Sequence, residues 1–176
     1  MSNNEDNTVY WSLLNYKKWH LYIAATDKGL CYVGSPNAPF KELEIWVTKK
    51  LPKYHLLKDE KIMKPYEVEL IDYIEGNRKS FSIPMDLRGT EFQQKVWMKM
   101  FEIPYGHIAT YTEIAEQLNR PDAVRAVGTA IGANPMLITL PCHRIFGKNG
   151  KSRGYRGGAT MKDWLLEIEG IQGHNK

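Results

Sequence analysis

Residues 104–133 read PYGHIATYTEIAEQLNRPDAVRAVGTAIGA and predict two short helices joined by a tight turn. Thr110 followed by Glu113 is a capping box, in which both side chains satisfy free backbone N–H groups where a helix begins. The turn signal NRPD ends this helix, and residues 122–133 predict a second helix made almost entirely of small residues. This arrangement is typical of a helix-turn-helix, whose second helix enters a DNA groove. The alternative left open by the spacing is a tightly packed core helix.

The segments on either side extend this pattern into a helical domain over residues 86–170. A capping box at Thr90 and Gln93 predicts a helix over residues 91–101. A last helix, ATMKDWLLEIE, ends at Gly170, which is a typical C-terminal stop.

Residues 1–85 differ in character and predict a small α/β domain. The runs VYWSLL, WHLYIAAT and GLCYVGS are rich in β-branched and aromatic residues and predict an antiparallel meander. Residues 39–50 and 61–75 have helical spacing of apolar positions, and FSIPMDL predicts a further strand. We therefore expect an α+β protein with its domain boundary in SIPMDLRGT and a short tail over residues 171–176.

Length and composition exclude several classes of protein. A chain of 176 residues, 43% hydrophobic and 25% charged, is ordinary for a soluble globular protein with a real core. The start, MSNNEDNTVYW, has neither a basic region nor an apolar run, so we expect no secretory signal, no membrane association and a cytoplasmic location. The two cysteines form no CxxC pair and the histidines are scattered, which predicts free thiols and no metal site.

The net charge of +4 is too small to identify a partner, but basic residues cluster without any acid in residues 144–156. Such a glycine-containing basic loop suits a phosphate backbone. The alternative is an ordinary solvated surface loop. The basic residues of this stretch are Arg144, Lys148, Lys151, Arg153 and Arg156.

The motif LPCHR at residues 140–144 places a cysteine beside a histidine and an arginine. A buried cysteine is inert unless a base or a positive charge favours its thiolate. Glu169 lies four positions after Leu165, so it leans towards the buried face of the last helix and needs a partner, for which His143 is a candidate. Cys142, His143 and Glu169 would supply a nucleophile, a base and an orienting group, with a water bridging the first two. The alternative is a structural histidine beside an inert cysteine.

Five ordered blocks between residues 86 and 170 together resemble the O6-alkylguanine-DNA alkyltransferases. They are GTEFQQKVWMKMFEIPYGHIATYTEIAEQL, RAVGTAIGANP, LPCHRIFGKNG, GYRGG and WLLEIEG. The resemblance implies a ribonuclease-H-like N-terminal domain and a winged-helix-like C-terminal domain. It also implies a single-use enzyme without a cofactor that moves an alkyl group from O6-alkylguanine, and from O4-alkylthymine, to its own Cys142. The implied partner is double-stranded DNA, bound through its minor groove by a monomer.

The resemblance further implies a role for each matching residue. Cys142 is the alkyl acceptor, His143 is its water-mediated base and Glu169 holds the imidazole. Tyr111 gives a proton to the departing guanine, and Asn134 ties the second helix of the helix-turn-helix to the active-site loop.

An extruded nucleotide leaves a gap that the resemblance assigns to Arg125, on an otherwise smooth helix that lies against the DNA. Arg156 stands where many relatives carry another residue, and it predicts an unusually basic pocket rim. The rivals are a non-catalytic lesion-binding relative, a transcription regulator and a cysteine hydrolase. The predicted DNA-binding residues are Tyr111, Arg125, Ala126 and Gly128, and the predicted pocket residues are Ile131, Ile145, Tyr155, Arg156 and Gly157.

Overall fold

The computed structural model describes residues 7–150 and 154–171. It is an α+β protein with a sheet in its N-terminal half and helices in its C-terminal half, as predicted. Lys151 and Arg153 of the basic stretch, and residues 172–176 of the predicted tail, lie outside the described residues.

The N-terminal half contains four strands and two helices: β1 Thr8–Tyr16, β2 Trp19–Thr26, β3 Gly29–Val33, α1 Phe40–Lys50, β4 His55–Lys58 and α2 Glu60–Ile74. The strands form one sheet in the order β3-β2-β1-β4. The predicted meander is confirmed, because β1 and β3 both pair antiparallel with β2. The fourth strand was not predicted: it has only four residues, it is mostly exposed, and it pairs parallel with β1.

The predicted strand FSIPMDL is wrong, since only Met85 forms a bridge, opposite Leu30 of β3. Leu30 N–H donates to the Pro84 carbonyl at 2.9 Å, and Asp86 N–H donates to the Leu30 carbonyl at 2.8 Å. Pro84 has no N–H of its own, which keeps the ladder from continuing. The approach also requires Gly29, at φ +141°, because a Cβ there would lie 2.5 Å from the Pro84 carbonyl carbon.

The elements of the C-terminal half are α3 Glu91–Phe101, β5 Ala109–Thr110, α4 Tyr111–Gln117, α5 Val124–Gly132, β6 Ile145–Phe146 and α6 Ala159–Ile168. Helices α4 and α5 form the predicted helix-turn-helix. Both predicted capping boxes are present, at Thr90 with Gln93 and at Thr110 with Glu113. Two short parallel strands bring the start of α4 next to a 3₁₀ turn over Cys142–Arg144.

One hydrophobic core runs through both halves. Leu14 and Tyr73 from the first half belong to the same buried cluster as Trp97 and Leu165 from the second. Backbone pairing also crosses between the halves, where Val33 N–H at the end of β3 donates to the carbonyl of residue 135 at 2.9 Å. Within the described residues, no helix is long and apolar enough to cross a membrane.

Candidate active site

Most of the predicted site residues line one cavity of about 500 Å³, between α5, the 3₁₀ turn and the start of α6. Five residues that were not predicted also line the cavity: Thr129, Gly132, Leu137, Gly154 and Lys162. The predicted residues in its wall are Tyr111, Arg125, Gly128, Ile131, Asn134, Cys142, Tyr155 and Arg156.

Cys142 opens the 3₁₀ turn and is 8% exposed, facing the cavity. Asn134 Nδ2 donates to Cys142 Sγ at 3.2 Å and to the Leu140 carbonyl at 3.0 Å, so Asn134 ties the end of α5 to this turn. Burial raises the pKa of Cys142, although the Asn134 hydrogen bond and the charges of Arg156 and Lys162 oppose that rise. The resting thiol therefore keeps its proton at neutral pH and needs a base to become a nucleophile.

His143 is fully buried and can act as that base. Burial lowers its pKa against the opposing effect of Glu169, so the imidazole is neutral at pH 7. His143 Nε2 lies 2.5 Å from Glu169 Oε2, and because a carboxylate only accepts, we assign the imidazole proton to Nε2. His143 Nδ1 is then the basic nitrogen, and no hydrogen-bond partner faces it among the described residues. The predicted pairing of His143 with Glu169 is confirmed.

Glu169 is buried at the end of α6 and is surrounded by donors. Its Oε1 accepts from Arg144 Nε at 2.8 Å and from Gly106 N–H at 2.9 Å, and its Oε2 accepts from Arg144 Nη2 at 3.1 Å. Burial alone would raise the pKa of Glu169, but the hydrogen bonds from His143, Arg144 and Gly106 outweigh it and lower the pKa to about 2. Glu169 is therefore a carboxylate at neutral pH.

Tyr73 joins this group from α2 in the N-terminal half and was not predicted. Its hydroxyl donates to Glu169 Oε2 and lies 3.2 Å from His143 Nε2. Its ring is fully buried against the rings of Phe81 and Tyr105. The sequence carries no signal for this contact, because a tyrosine among the apolar positions of a helix is typical of an ordinary core residue.

The expected basic loop is wrong for Arg144 and Arg156. Arg144 is 6% exposed and directs its guanidinium inward, to Glu169 and to the Ile103 carbonyl at 2.6 Å. Arg156 lines the cavity but donates to the Val33 carbonyl at 2.8 Å and pairs with Glu42 of α1 at 3.3 Å. The charge of Arg156 is thus paired with the N-terminal half, and the rim is less basic than predicted.

The α5 helix has a face that packs in the core and an opposite face that is exposed, so each of the two interpretations of its sequence describes one face. One face, which includes Val127 and Ala130, is buried, and the Ala130 carbonyl accepts from Trp97 Nε1 at 2.8 Å. The other face exposes Arg125 and Ala126. Small residues on α5 therefore serve close packing and also leave a smooth outer surface.

Tyr111 stands where α4 meets this outer surface. It is the first residue of α4 and is 8% exposed. A Cβ added at Gly128 would lie 3.6 Å from the Tyr111 ring, so the ring packs across the glycine. Tyr111 thereby forms part of the cavity wall next to α5.

Two predicted pocket residues, Ile145 and Gly157, lie behind the cavity wall and do not line it. Ile145 is fully buried in β6, and its carbonyl accepts from Lys162 Nζ at 3.1 Å. Gly157 lets the pocket wall fold tightly, since a Cβ there would lie 2.5 Å from the Tyr155 ring. The described residues contain no group of three or more His, Cys, Asp or Glu side chains that could hold a metal ion.

Two family models together match nearly the whole chain. Residues 91–171 match the family model described as 6-O-methylguanine DNA methyltransferase, DNA binding domain, and residues 9–87 match the one described as its ribonuclease-like domain. An inducible methylated-DNA–protein-cysteine methyltransferase of Bacillus subtilis (strain 168) is 54% identical over 162 residues, which cover 92% of this chain and 90% of that protein.

More distant relatives give the same result. A methylated-DNA–protein-cysteine methyltransferase of Methanosarcina acetivorans is 36% identical over 92% of this chain and 99% of that protein. The crystal structure of Mycobacterium tuberculosis OGT in complex with DNA has a TM-score of 0.77 and 34% identity, with 92% of each chain covered. The chain belongs to the 6-O-methylguanine DNA methyltransferase family.

Proposed function

We propose that the protein repairs double-stranded DNA by moving the alkyl group of O6-alkylguanine irreversibly to its own Cys142. The observation that carries this proposal is the arrangement of the 3₁₀ turn: a thiol that faces the cavity is followed in the chain by an imidazole whose proton is fixed by a buried carboxylate. The names of the relatives, methylated-DNA–protein-cysteine methyltransferases, support the same reaction.

The chemical step is a displacement at the alkyl carbon. His143 Nδ1 takes the thiol proton through a bridging water, and the sulfur of Cys142 attacks the carbon in line as its bond to guanine O6 breaks. The guanine gains one proton as it leaves, for which Tyr111 in the cavity wall is the proposed donor. The thiol proton passes to His143 and the guanine takes its proton from Tyr111. Solvent then removes a proton from His143 and returns one to Tyr111, so the step is balanced. The thioether has no low-energy route back to a thiolate, so each molecule acts once.

The target carbon is inaccessible inside a duplex, so we propose that the nucleotide is flipped into the cavity. The exposed face of α5, with Ala126 and the half-buried Gly128 beside it, would lie against the minor groove, where small residues permit close approach. Arg125, which is exposed at the cavity mouth, would fill the vacated stack. Asn134 would hold the acceptor turn in register with α5, through the hydrogen bonds described above.

Several finer features are part of the same proposal. O4-alkylthymine would be a second substrate, because it presents an alkyl group on an equivalent exocyclic oxygen. The protein would act as a monomer in the cytoplasm. Tyr155 and Ile131 would form the sides of the base pocket.

A stoichiometry measurement tests the proposal. The protein is titrated against duplex DNA that contains a single O6-methylguanine, and the methyl group lost from DNA is counted. We expect the reaction to stop at one methyl group per protein molecule. Continued turnover would indicate a cysteine hydrolase, and binding without any loss of methyl would indicate a non-catalytic lesion-binding protein.

A further inference from the structure

We propose that Tyr73 is a positioning residue of the N-terminal half that sets the basicity of His143 through the carboxylate the two residues share. This inference rests on the proposed function for its consequence in catalysis, but not for the coupling itself. It starts from a contact that joins residues 96 positions apart in a fully buried group.

The Tyr73 hydroxyl and His143 compete for the same acceptor atom. Both donate to Glu169 Oε2, which also accepts from Arg144 Nη2. Burial raises the pKa of Tyr73, and the nearby charge of Glu169 raises it further, so the phenol remains a donor over the whole working pH range. Each donor that shares Oε2 reduces the negative charge that this oxygen presents to the imidazole. Tyr73 therefore disfavours the imidazolium form of His143.

A second contact of Tyr73 acts in the opposite direction. The phenol oxygen lies 3.2 Å from His143 Nε2, where its lone pair would favour a protonated ring. That contact is longer than the 2.5 Å between His143 and Glu169. A hydrogen bond to an ionised acceptor is about twice as strong as one between neutral groups, so the effect through the carboxylate dominates.

The other groups that act on His143 do not depend on Tyr73. Arg144, next to it in the 3₁₀ turn, and Lys162 from α6 both lower its pKa by their charge, and Cys142 precedes it in the turn. Among the described residues of the N-terminal half, only Tyr73 forms a hydrogen bond with Glu169 or His143.

Tyr73→Phe removes the hydroxyl and keeps the ring packed against Phe81 and Tyr105. The imidazole of His143 is followed by NMR in the full chain with ¹⁵N-labelled histidine, and the single-turnover rate on O6-methylguanine duplex DNA is followed over the same pH range. We expect the midpoint of His143 and the acid limb of the rate to move up together by about 0.5–1 pH unit.

Tyr105→Phe is the matched control. Tyr105 packs edge-on against Tyr73, but its hydroxyl donates to the Ile168 carbonyl at 2.9 Å and to neither member of the pair. This variant should leave the His143 midpoint where it is in the unaltered protein. Equal midpoints in Tyr73→Phe and the unaltered protein, or equal shifts in both variants, would overturn the inference.

A second substitution, expected to shift the His143 midpoint in the opposite direction, separates the coupling from a folding defect. Replacing Tyr73 by 3-fluorotyrosine strengthens the phenol as a donor while retaining its shape, so the His143 midpoint should move down. A shift in the same direction as Tyr73→Phe would overturn the inference, since a purely structural role predicts no such reversal. Because the NMR midpoint of His143 is measured without substrate, it tests the coupling to Tyr73 even if the protein transfers no methyl group. A rate limb that fails to follow the midpoint would count against His143 as the base and leave the coupling established.

Discussion

At the level of single residues, Glu169 has more hydrogen-bond partners in the site than the sequence predicted. The helical period correctly placed Glu169 towards the buried face and suggested His143 as its partner. The period could not reveal Tyr73 or Arg144, because it identifies which side of a helix is buried but not what lies opposite. Arg144 shows this most clearly: its position in a basic stretch suggested solvent or phosphate, yet it is the main counter-charge of Glu169.

The low pKa of Glu169 predicts a loss of stability in acid. Its pKa is about 2 in the folded protein against an ordinary value of 4.5, so the unfolded chain binds the proton more readily. The carboxylate therefore contributes stability that is complete above about 4.5 and is lost as the pH falls towards about 2. Urea unfolding at a series of pH values measures this loss.

Glu169→Gln should abolish most of that acid dependence and lower the unfolding free energy at neutral pH by about 3–5 kcal/mol, because Arg144 is left buried without a counter-charge. Glu167→Gln, at an exposed position of the same helix, is the control and should change little. Parallel pH curves for Glu169→Gln and the unaltered protein would mean that Glu169 is not the group that titrates.

At the scale of elements, sequence predicted helices better than strands. The capping box and apolar face gave the bounds of α3 correctly, and α5 is shorter than residues 122–133 by two residues at its start and one at its end. Local signals suffice there because a helix satisfies its own hydrogen bonds. The strand β4 was missed and FSIPMDL was wrongly predicted, because strand pairing depends on a partner elsewhere in the chain and on where a proline falls along the edge.

The exposed face of α5 yields a prediction for Arg125. If Arg125 replaces the stacking lost on flipping, Arg125→Ala should slow single-turnover repair of duplex DNA by about 10²-fold, since flipping costs a few kcal/mol. Reaction with free O6-alkylguanine base needs no flipping and should be nearly unchanged. Arg120→Ala removes the same charge from the preceding turn and should have only a small effect on either substrate. A variant at Arg125 that is equally impaired on duplex and free base would instead assign it to the pocket or the fold.

At the scale of the whole molecule, the N-terminal half is part of the site. The resemblance implied a separate ribonuclease-H-like domain over residues 1–85, and its boundary remains a prediction. The structure joins the halves through one core, through Tyr73 at Glu169 and through Arg156 at Glu42. Composition and spacing could not predict these contacts, because each pairs a residue of one half with a residue of the other.

The ion pair between Arg156 and Glu42 predicts measurable coupling between the halves. A double-mutant cycle with Arg156→Gln and Glu42→Gln should give a coupling of about 1 kcal/mol in the free energy of unfolding, because the pair is largely shielded and carries further hydrogen bonds. The control is the exposed pair Glu91 and Lys95 within α3, at 3.2 Å, for which about 0.3–0.5 kcal/mol is expected. A coupling energy for Arg156 and Glu42 no larger than that of the control pair would show that this ion pair does not couple the two halves.

Peptide mapping by mass spectrometry shows whether Cys142 alone accepts the alkyl group. Both cysteines are free, but Cys31 is fully buried in β3, where its Sγ donates to the Ala24 carbonyl at 3.5 Å. Burial raises the pKa of Cys31 far above that of an ordinary thiol. After reaction with O6-methylguanine duplex DNA, the peptide with Cys142 should carry one methyl group and the peptide with Cys31 none. Cys31→Ser should retain full transfer and Cys142→Ser should have none. Methyl on Cys31, or transfer that persists in Cys142→Ser, would contradict the account.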